Sequence, residues 1–238
     1  MFFIFADMDV PVFFLPHFSA DNILTLNEDT SRHVVQVLRM KPSERLQLTD
    51  GAGNSLTAEV LNDHKKNCTV RVIERKFIGK KQQQVCIAIS LLKNASRFEW
   101  FLEKATEIGV TEIVPLICER TEKQQFKAER MRQITISAMM QSKQVWLPVL
   151  HPPVVASKAI FDSNYSTKLM AHCEEGEKNP IVNFRQMPSV QIFIGPEGDF
   201  SHEEIGAALQ AGFVPVNLGN NRYRTETAGV VAAAFLCL

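Results

Sequence analysis

An apolar run near residue 190 leads into a loop whose residues suit a ligand site. The segment QIFIGPEGDFS covers 191–201, with the turn GPEG at 195–198. Ser201 and Glu204 have the spacing of a capping box, so a helix is expected to begin directly after the loop. Glycines let a ligand approach the backbone closely, and open α/β sheets bind ligands at the carboxyl ends of their strands. The loop is therefore the first candidate site, and a plain turn before a capped helix is the alternative.

The same loop is rich in carboxylates, which limits the ligand it could hold. Glu197, Asp199, Glu203 and Glu204 all fall within eight residues. Like charges roughly 4 Å apart cost on the order of 1–4 kcal/mol, depending on the local dielectric. Helix N-termini commonly bind phosphate. Here the acids disfavour a phosphate and tolerate a neutral or cationic ligand.

A second loop places arginine at the entry to an apolar helix. The segment LGNNRYRTETA covers 218–228, and Thr225 or Thr227 is expected to cap the helix that follows. Residues 228–238 are apolar all round, which predicts a buried helix. A guanidinium held there, that of Arg224, could stabilise negative charge in a reaction. The alternative is an ion pair between Arg224 and a structural acid.

Two weaker candidates are a histidine and a basic cluster. His172 follows the short predicted strand 168–171, although a lone histidine is more often structural. Arg32, Arg39 and Lys41 accompany a predicted helix near the N-terminus, and the spacing of 32 and 39 brings both arginines close to one helical face. A solvated basic face is the ordinary alternative for that cluster.

The predicted secondary structure changes near residue 80, from short strands to alternating strands and helices. Short alternating segments at 22–26, 45–48, 56–61 and 68–73 predict a small β-barrel or sandwich. One helix interrupts them, with Asp29, Thr30 or Ser31 as its cap and with His33, Val34, Val37 and Leu38 following at helical spacing. The N-terminal stretch 1–14 predicts an edge strand rather than a signal peptide.

From residue 85 onward, strands and helices alternate. Apolar strands are predicted at 85–92, 112–117, 168–171, 190–194 and 214–218, with helices at 97–108 and 127–144. Gly109 should end the first of these helices. This alternation predicts an α/β domain with a mainly parallel sheet.

The counts exclude several classes of protein. The 238 residues carry 26 basic and 26 acidic side chains and are 45% apolar, which excludes a disordered chain. No apolar run is long enough for a membrane helix. The five scattered cysteines argue against a disulfide framework or a zinc site and favour the reducing cytoplasm. The zero net charge hides a basic stretch at 65–81, with seven basic residues against one acid.

These motifs, in this order, resemble one known family over essentially the whole chain. The segments that carry the resemblance are HVVQVLRM at 33–40, DGAG at 50–53, RFE at 97–99, KATEIGV at 104–110, QS at 141–142, IGPEG at 194–198, LG at 218–219 and RTETA at 224–228. The sequence resembles the RsmE family of 16S ribosomal RNA uridine N3-methyltransferases, within the SPOUT superfamily.

The resemblance implies an α/β fold with a PUA-like RNA-binding β-barrel at 1–75, a linker at 76–84 and a SPOUT methyltransferase domain at 85–238. It also implies a deep trefoil knot in roughly 165–238, S-adenosyl-L-methionine as cofactor, no metal, and a homodimer whose active site uses both subunits. The implied substrate is N3 of uridine 1498 of 16S rRNA in the 30S ribosomal subunit. A SPOUT enzyme for another rRNA or tRNA base, or a non-catalytic RNA-binding protein, remains as an alternative.

Site residues follow from the same resemblance. The expected cofactor-binding residues are Leu169, Ala171, His172, Ile194, Gly195, Glu197, Gly198, Leu218, Gly219, Asn220, Tyr223 and Thr225. Arg224 and Glu226 are the expected catalytic residues, with Glu226, Glu197 or a water as general base. Arg32, Arg39 and Lys41, together with the basic stretch at 65–81, are expected to meet the phosphates of the RNA. The chain departs from the family pattern at Met140, Gln144, Asp199 and 221–223.

Overall fold

The computed structural model describes residues 10–238, which form two compact units. The first unit ends at Lys80 and also includes Met139–Trp146, and the second comprises Lys81–Ala138 and Leu147–Leu238. Most of the predicted N-terminal edge strand lies outside the described residues. Its last part, Val12–Phe14, is a strand at the edge of the first unit's sheet.

The first unit contains a five-stranded sheet with the spatial order β1-β3-β4-β5-β2. The strands are β1 Val12–Phe14, β2 Ile23–Thr25, β3 Arg45–Thr49, β4 Asn54–Asn62 and β5 Thr69–Phe77. Every second side chain of β3 and β4 enters the core, as the period of a pleated strand requires: Leu46, Leu48, Leu56, Ala58 and Val60 are buried. All four strand segments predicted from the alternating pattern are confirmed.

The helix of this unit differs from its prediction. Helix α1 spans Glu28–Arg32, and its cap is Asn27, whose side chain accepts a hydrogen bond of 2.8 Å from the Thr30 amide. Asp29, Thr30 and Ser31 lie inside the helix, so the predicted caps are wrong. A wider π-helical turn, His33–Val37, follows. Since that turn breaks the α-helical spacing, Val34 is buried while Val37 and Leu38 are exposed.

The second unit is built on a parallel sheet with the order β11-β13-β10-β12-β6-β7-β8, and a further short strand, β9, pairs with β7. The strands are β6 Gln84–Ser90, β7 Glu112–Ile117, β8 Val149–Leu150, β9 Val154–Val155, β10 Thr167–Ala171, β11 Asn179–Pro180, β12 Ser189–Ile194 and β13 Val214–Asn217. The helices are α2 Ala95–Ile108, α3 Ala128–Gln141, α4 Ala156–Phe161, α5 His202–Gln210 and α6 Thr225–Cys237. The predicted mainly parallel α/β layer is confirmed.

Two apolar clusters cover this sheet. Ile87 and Ile89 of β6 pack in the cluster that contains Phe98, Phe101 and Leu102 of α2. Ala88, the residue between them, packs in the other cluster with residues of α4 and α5. A central strand buried on both faces explains why its sequence is a continuous apolar run. Gly109 ends α2 in the left-handed conformation, at φ +96°, as predicted.

Helix α6 departs from the prediction of burial on every side. Gly229, Ala232, Ala233 and Leu236 are buried, but Phe235 is 39% exposed in the single chain. The helix packs on α2, β6, β12 and the 3-10 turn Ile181–Phe184, and among residues 10–238 the side of the helix that carries Phe235 stays partly open to solvent. Across residues 10–238, none of the helices combines the length and apolarity that a bilayer span requires.

Candidate active site

Three loops meet at the carboxyl ends of β10, β12 and β13. The three strands are parallel and adjacent, so the segments after Ala171, Ile194 and Asn217 emerge at one edge of the sheet. A cavity of about 460 Å³ lies between them. Clefts at the carboxyl edge of an α/β sheet are the usual ligand sites of such folds. The two separate loops of the sequence analysis therefore belong to one site.

Most of the predicted cofactor-binding and catalytic residues line this cavity. They are Ala171, His172, Ile194, Gly195, Glu197, Leu218, Gly219, Tyr223, Arg224 and Thr225. Leu169, Gly198, Asn220 and Glu226 are not among the lining residues. Leu169 is fully buried in the core cluster of α2 and α6, because it lies two residues before the end of its strand.

The cavity also has lining residues that the sequence analysis did not name as cofactor ligands. They are Cys173, Lys178, Pro196, Asp199, Val216, Asn217, Asn221, Arg222 and Ala228. Most are direct neighbours of predicted residues, so adjacency alone could have suggested them. Lys178 could not be found in that way, since it follows a six-residue irregular segment after β10.

The GPEG turn is held by packing and by Asp199. A Cβ at position 195 would lie 3.0 Å from the Phe200 ring, so the close packing of that ring favours glycine. Asp199 adopts a left-handed conformation, at φ +64°. Its carboxylate accepts hydrogen bonds from the Phe200 amide at 2.9 Å and the Cys173 amide at 2.7 Å. Aspartate tolerates this conformation better than most residues, and here it ties the turn to the loop after β10.

Arg120 clamps the same turn from the loop after β7. Its Nη1 donates to the carbonyl oxygens of Gly198 at 2.8 Å and Phe200 at 3.2 Å. The capping box is confirmed, because the Ser201 side chain accepts from the Glu204 amide while the Glu204 carboxylate accepts from the Ser201 amide. The first turn of α5 and the GPEG loop are therefore fixed by polar contacts on both sides.

The charges at the cavity are more mixed than the loop sequence predicted. Of the four acids expected there, only Glu197 and Asp199 line it. Glu204 is part of the capping box and also accepts a hydrogen bond of 3.0 Å from the Glu119 amide. Three cations lie in the wall as well: Lys178, Arg222 and Arg224. The site therefore offers both signs of charge to a ligand.

Arg224 stands at the N-terminus of α6, and its side chain has no ion pair with any described residue. Its backbone carbonyl accepts a hydrogen bond of 2.8 Å from the Ala228 amide, which fixes the residue as the helix cap. The prediction that Thr225 or Thr227 caps the helix is wrong, because Arg224 holds the cap position and both threonines lie inside the helix. Within residues 10–238 no ion pair involves Arg224, so the alternative of a structural pair does not hold.

Glu226 occupies a different environment from the one a cavity base would need. It is 6% exposed, and one carboxylate oxygen lies 3.6 Å from Nε of Arg97 at the start of α2. Its other oxygen, Oε2, is buried with no hydrogen-bond partner among the described residues. The buried carboxylate thus joins the N-terminal ends of α2 and α6 beside the cavity wall.

His172 lines the cavity as an uncharged ring. Both of its ring nitrogens are buried and have no hydrogen-bond partner in the described part of the chain. Burial, and then the nearby charge of Lys178, lowers the pKa of His172 below its usual range. A neutral imidazole offers one donor and one acceptor. The ring can therefore satisfy two polar groups of a bound ligand.

The predicted RNA-binding residues lie in the first unit and differ in their pairing. Arg32 pairs with Glu28 at 3.0 Å, and Lys41 pairs with Asp63 at 3.4 Å. Arg39 lies beyond the helix at φ +56°, so the prediction of one shared helical face is wrong. It is exposed and has no ion pair within the described ranges. Of the three predicted RNA-binding residues, Arg39 is thus the one whose charge is available to an RNA phosphate.

The fold and the site define an RNA methyltransferase with a separate PUA domain. The family described as "RNA methyltransferase domain" matches residues 79–237, and the family described as "RNA methyltransferase PUA domain" matches residues 26–73. The fold class expected from the sequence, a PUA-like domain followed by a parallel-sheet methyltransferase domain, is confirmed.

Comparison with individual relatives identifies the family within this class of RNA methyltransferases. A ribosomal RNA small subunit methyltransferase E from Synechocystis is 30% identical, over 89% of this chain and 71% of its own. A probable rRNA-methyltransferase from Porphyromonas gingivalis has 38% identity and a TM-score of 0.87, covering 94% of this chain and 95% of its own. Ribosomal RNA small subunit methyltransferase E from Neisseria gonorrhoeae, solved bound to S-adenosyl methionine, has 29% identity and a TM-score of 0.83, at 94% and 95% coverage. The chain belongs to the ribosomal RNA small subunit methyltransferase E family.

Proposed function

We propose that the protein transfers a methyl group from S-adenosyl-L-methionine to N3 of uridine 1498 in the 16S rRNA of the small ribosomal subunit. The methyl carbon leaves sulfur and bonds to N3, the N3 proton is lost, and the products are N3-methyluridine and S-adenosylhomocysteine. The observation that carries the proposal is the guanidinium of Arg224, which lines the three-loop cavity and has no ion pair among residues 10–238. Membership of the family supports the substrate and the cofactor.

The residues present fit S-adenosylmethionine, which when bound supplies a methyl group activated by its sulfonium charge. The unpartnered ring nitrogens of His172 can meet polar groups of the nucleoside. Glu197 and Asp199 tolerate a cation. We assign cofactor binding to the predicted residues that line the cavity. Leu169 and Gly198 then support it indirectly, through the core and through the contact with Arg120.

We assign Arg224 and one carboxylate to separate roles at the uracil: Arg224 stabilises charge, and the carboxylate accepts the proton. Loss of the N3 proton leaves negative charge on the ring oxygens, and a fixed guanidinium stabilises such charge. Glu197 is exposed at the cavity and can accept the proton directly or through a water. Glu226 is buried and faces Arg97, so we assign it to holding the helix that carries Arg224.

The rest of the proposal concerns assembly and setting. Residues 1–75 would form the RNA-binding domain, and 76–84 would form a linker whose first residues can add RNA contacts. Residues 85–238 would form the methyltransferase domain, with a trefoil knot in roughly 165–238. The exposed face of α6, with Phe235 and Leu238, supports a homodimer because these apolar side chains would be covered by a second copy. Action on the 30S subunit implies the cytoplasm.

Methylation of 30S subunits and of naked 16S rRNA, read by reverse transcription, tests the function. N3-methylation blocks Watson–Crick pairing, so a stop is expected at uridine 1498. A stop at another base, or modification of tRNA instead, would favour a different SPOUT enzyme. Cofactor binding in a thermal-shift assay without any methyl transfer would favour a non-catalytic RNA-binding protein.

Replacement of Arg120 by alanine is expected to weaken cofactor binding. The variant loses one charge-assisted hydrogen bond to Gly198 of the GPEG turn and one to Phe200 just after it, which frees the turn. Such bonds are worth about 1.5–3 kcal/mol when sheltered from water. Because Arg120 is partly solvated, we expect the Kd for S-adenosylmethionine to rise by roughly 10-fold, measured by calorimetry. Lys123→Ala, an exposed cation in the same segment, is the control. Equal affinities of the two variants would show that the clamp is irrelevant to binding.

Arg39→Ala should change how RNA affinity depends on salt. A phosphate contact releases counterions, so losing one lowers the slope of log K against log salt by about 1. Arg32→Ala should have a smaller effect, because that guanidinium is already paired with Glu28. Filter binding of 16S rRNA at several salt concentrations measures both slopes. Identical slopes for Arg39→Ala and the native protein would remove Arg39 from the RNA interface.

A further inference from the structure

A groove on the first unit is separate from the candidate active site. Its volume is about 530 Å³, and its lining includes His17, Phe18, Asn54, Arg75 and Phe77. All of these residues belong to the first unit. The groove is within the size range of small-molecule pockets, roughly 300–1,000 Å³. It is therefore large enough for one nucleotide.

Phe77, which lines this groove, belongs to an aromatic pair. The rings of Phe77 and Trp146 meet edge to face, with centroids 6.1 Å apart and an interplanar angle of 79°. Phe77 is 68% exposed, and its neighbour Ile78 is 48% exposed. The indole nitrogen of Trp146 donates to the Ile78 carbonyl at 2.8 Å, which fixes the ring. A fixed indole thus supports a phenyl ring that is open to solvent.

The DGAG motif at 50–53, which the proposed chemistry does not use, builds the floor under Trp146. Gly53 adopts φ +94°, and a Cβ there would lie 2.5 Å from the indole ring. Its amide donates to the Val145 carbonyl at 2.9 Å. Asp50 holds the turn by accepting hydrogen bonds from the amides of Ala52 at 2.8 Å and Asn54 at 3.2 Å. Glycine is therefore required so that the aromatic pair can form.

The charges around the pair favour a polyanion. Nζ of Lys80 lies 5.9 Å from the centroid of the Trp146 ring, and Arg75 and Lys76 line the groove. Lys76 is paired with Glu74 at 2.8 Å. Asp50, the acid that lines the groove, has its carboxylate committed to the turn. An exposed aromatic ring among cations is the arrangement with which proteins bind unpaired nucleic acid, by stacking and by phosphate contacts.

From these contacts we infer that the ring of Phe77, supported by Trp146, stacks on an unpaired base of the RNA, with Arg75, Lys76 and Lys80 beside the adjoining phosphates. The inference rests on the proposed function for the statement that the RNA is ribosomal. The stacking itself is a property of the first unit and can be measured without methyl transfer.

The test compares Phe77→Ala with Phe77→Tyr in the full chain. The matched control is Phe161→Ala, since Phe161 is also an exposed phenylalanine, at 66%, but lies at the end of α4. The probe is a fluorescein-labelled 12-nucleotide single strand and its duplex. Phe77→Ala should raise the Kd for the single strand by about 5-fold or more, because stacking contributes at that level per base. Phe77→Tyr and Phe161→Ala should stay within about 2-fold of the native value.

A spectroscopic measurement separates stacking from a structural effect. The chain has two tryptophans, so Trp100→Phe leaves Trp146 as the single indole. In that background the single strand should quench Trp146 with the same Kd that the labelled probe gives, and the duplex should quench it much less. The salt slope should be unchanged by Phe77→Ala but lowered by Lys80→Ala.

Several results would overturn the inference. One is that the native protein shows no measurable binding of the single strand. Another is that Phe77→Ala weakens binding of the single strand and of the duplex equally. A third is that the single strand does not quench Trp146 fluorescence. A change of oligomeric state in Phe77→Ala would assign the patch to a second copy of the chain instead. A failure of the proposed function would look different. Native protein would then bind the strand through Phe77 but transfer no methyl group, so the stacking inference would stand.

Discussion

Arg224→Ala is expected to lower the rate of methyl transfer by roughly 10²–10³-fold at saturating RNA and cofactor, which is the usual cost of removing one group that stabilises developing charge. The guanidinium is fixed at the cap of α6, lines the cavity and has no ion pair within residues 10–238. It is thus already positioned before the uracil becomes negative. A guanidinium does not attract the positive sulfonium of the cofactor. The Kd of the cofactor for Arg224→Ala, measured by calorimetry, should therefore differ from the native value by less than about 3-fold.

Two variants make this prediction specific. Arg224→Lys keeps the charge but loses the planar fork of donors, so it should recover only part of the rate. Arg222→Ala removes a cation that also lines the cavity but lies outside the helix, and it should cost much less. Single-turnover methylation measures the rate directly. Parallel losses of rate and cofactor affinity in Arg224→Ala would exclude the assigned role, because they would indicate a binding residue.

The local pattern of the sequence was sufficient for the five longer strands of the second unit's sheet and for the loops that line the cavity. Strand β7 at Glu112–Ile117 was predicted to the residue, because a buried strand between a glycine-capped helix and a polar loop has few alternatives. The cavity could also be anticipated, since its loops follow three strands of a parallel sheet. Ser201 and Glu204 form the predicted capping box because both partners lie within four residues of each other.

Contacts between residues that are far apart in the sequence could not be predicted from local patterns. Arg120 reaches the carbonyl of Gly198, 78 residues away, and no local spacing signals that pair. The partnership of Glu226 with Arg97 likewise depends on how α2 and α6 are brought together. The π-helical turn at His33–Val37 was missed because the residues fit an ordinary helix equally well. Such features depend on tertiary packing, which periodicity alone does not contain.

Gly229→Ala is expected to destabilise the protein by roughly 1–3 kcal/mol, the usual cost of forcing extra volume into a packed core. Gly229 lies in α6 against α2 and β6. A Cβ there would lie 2.7 Å from Cε2 of Phe101 and 2.8 Å from Cδ1 of Ile89. Both neighbours are fully buried, so neither side chain can move away without disturbing the core.

The matched variant is Gly206→Ala, because that glycine is also inside a helix, α5, but has nothing within 4 Å of its ideal Cβ. It should stabilise the protein by up to about 1 kcal/mol, since alanine has the higher helix propensity. Both values come from urea unfolding followed by circular dichroism, with the slope m checked for constancy. The two variants share the propensity gain, so their difference isolates the packing cost. If both stabilised the protein equally, α6 could not be packed as tightly on Phe101 and Ile89 as these distances require.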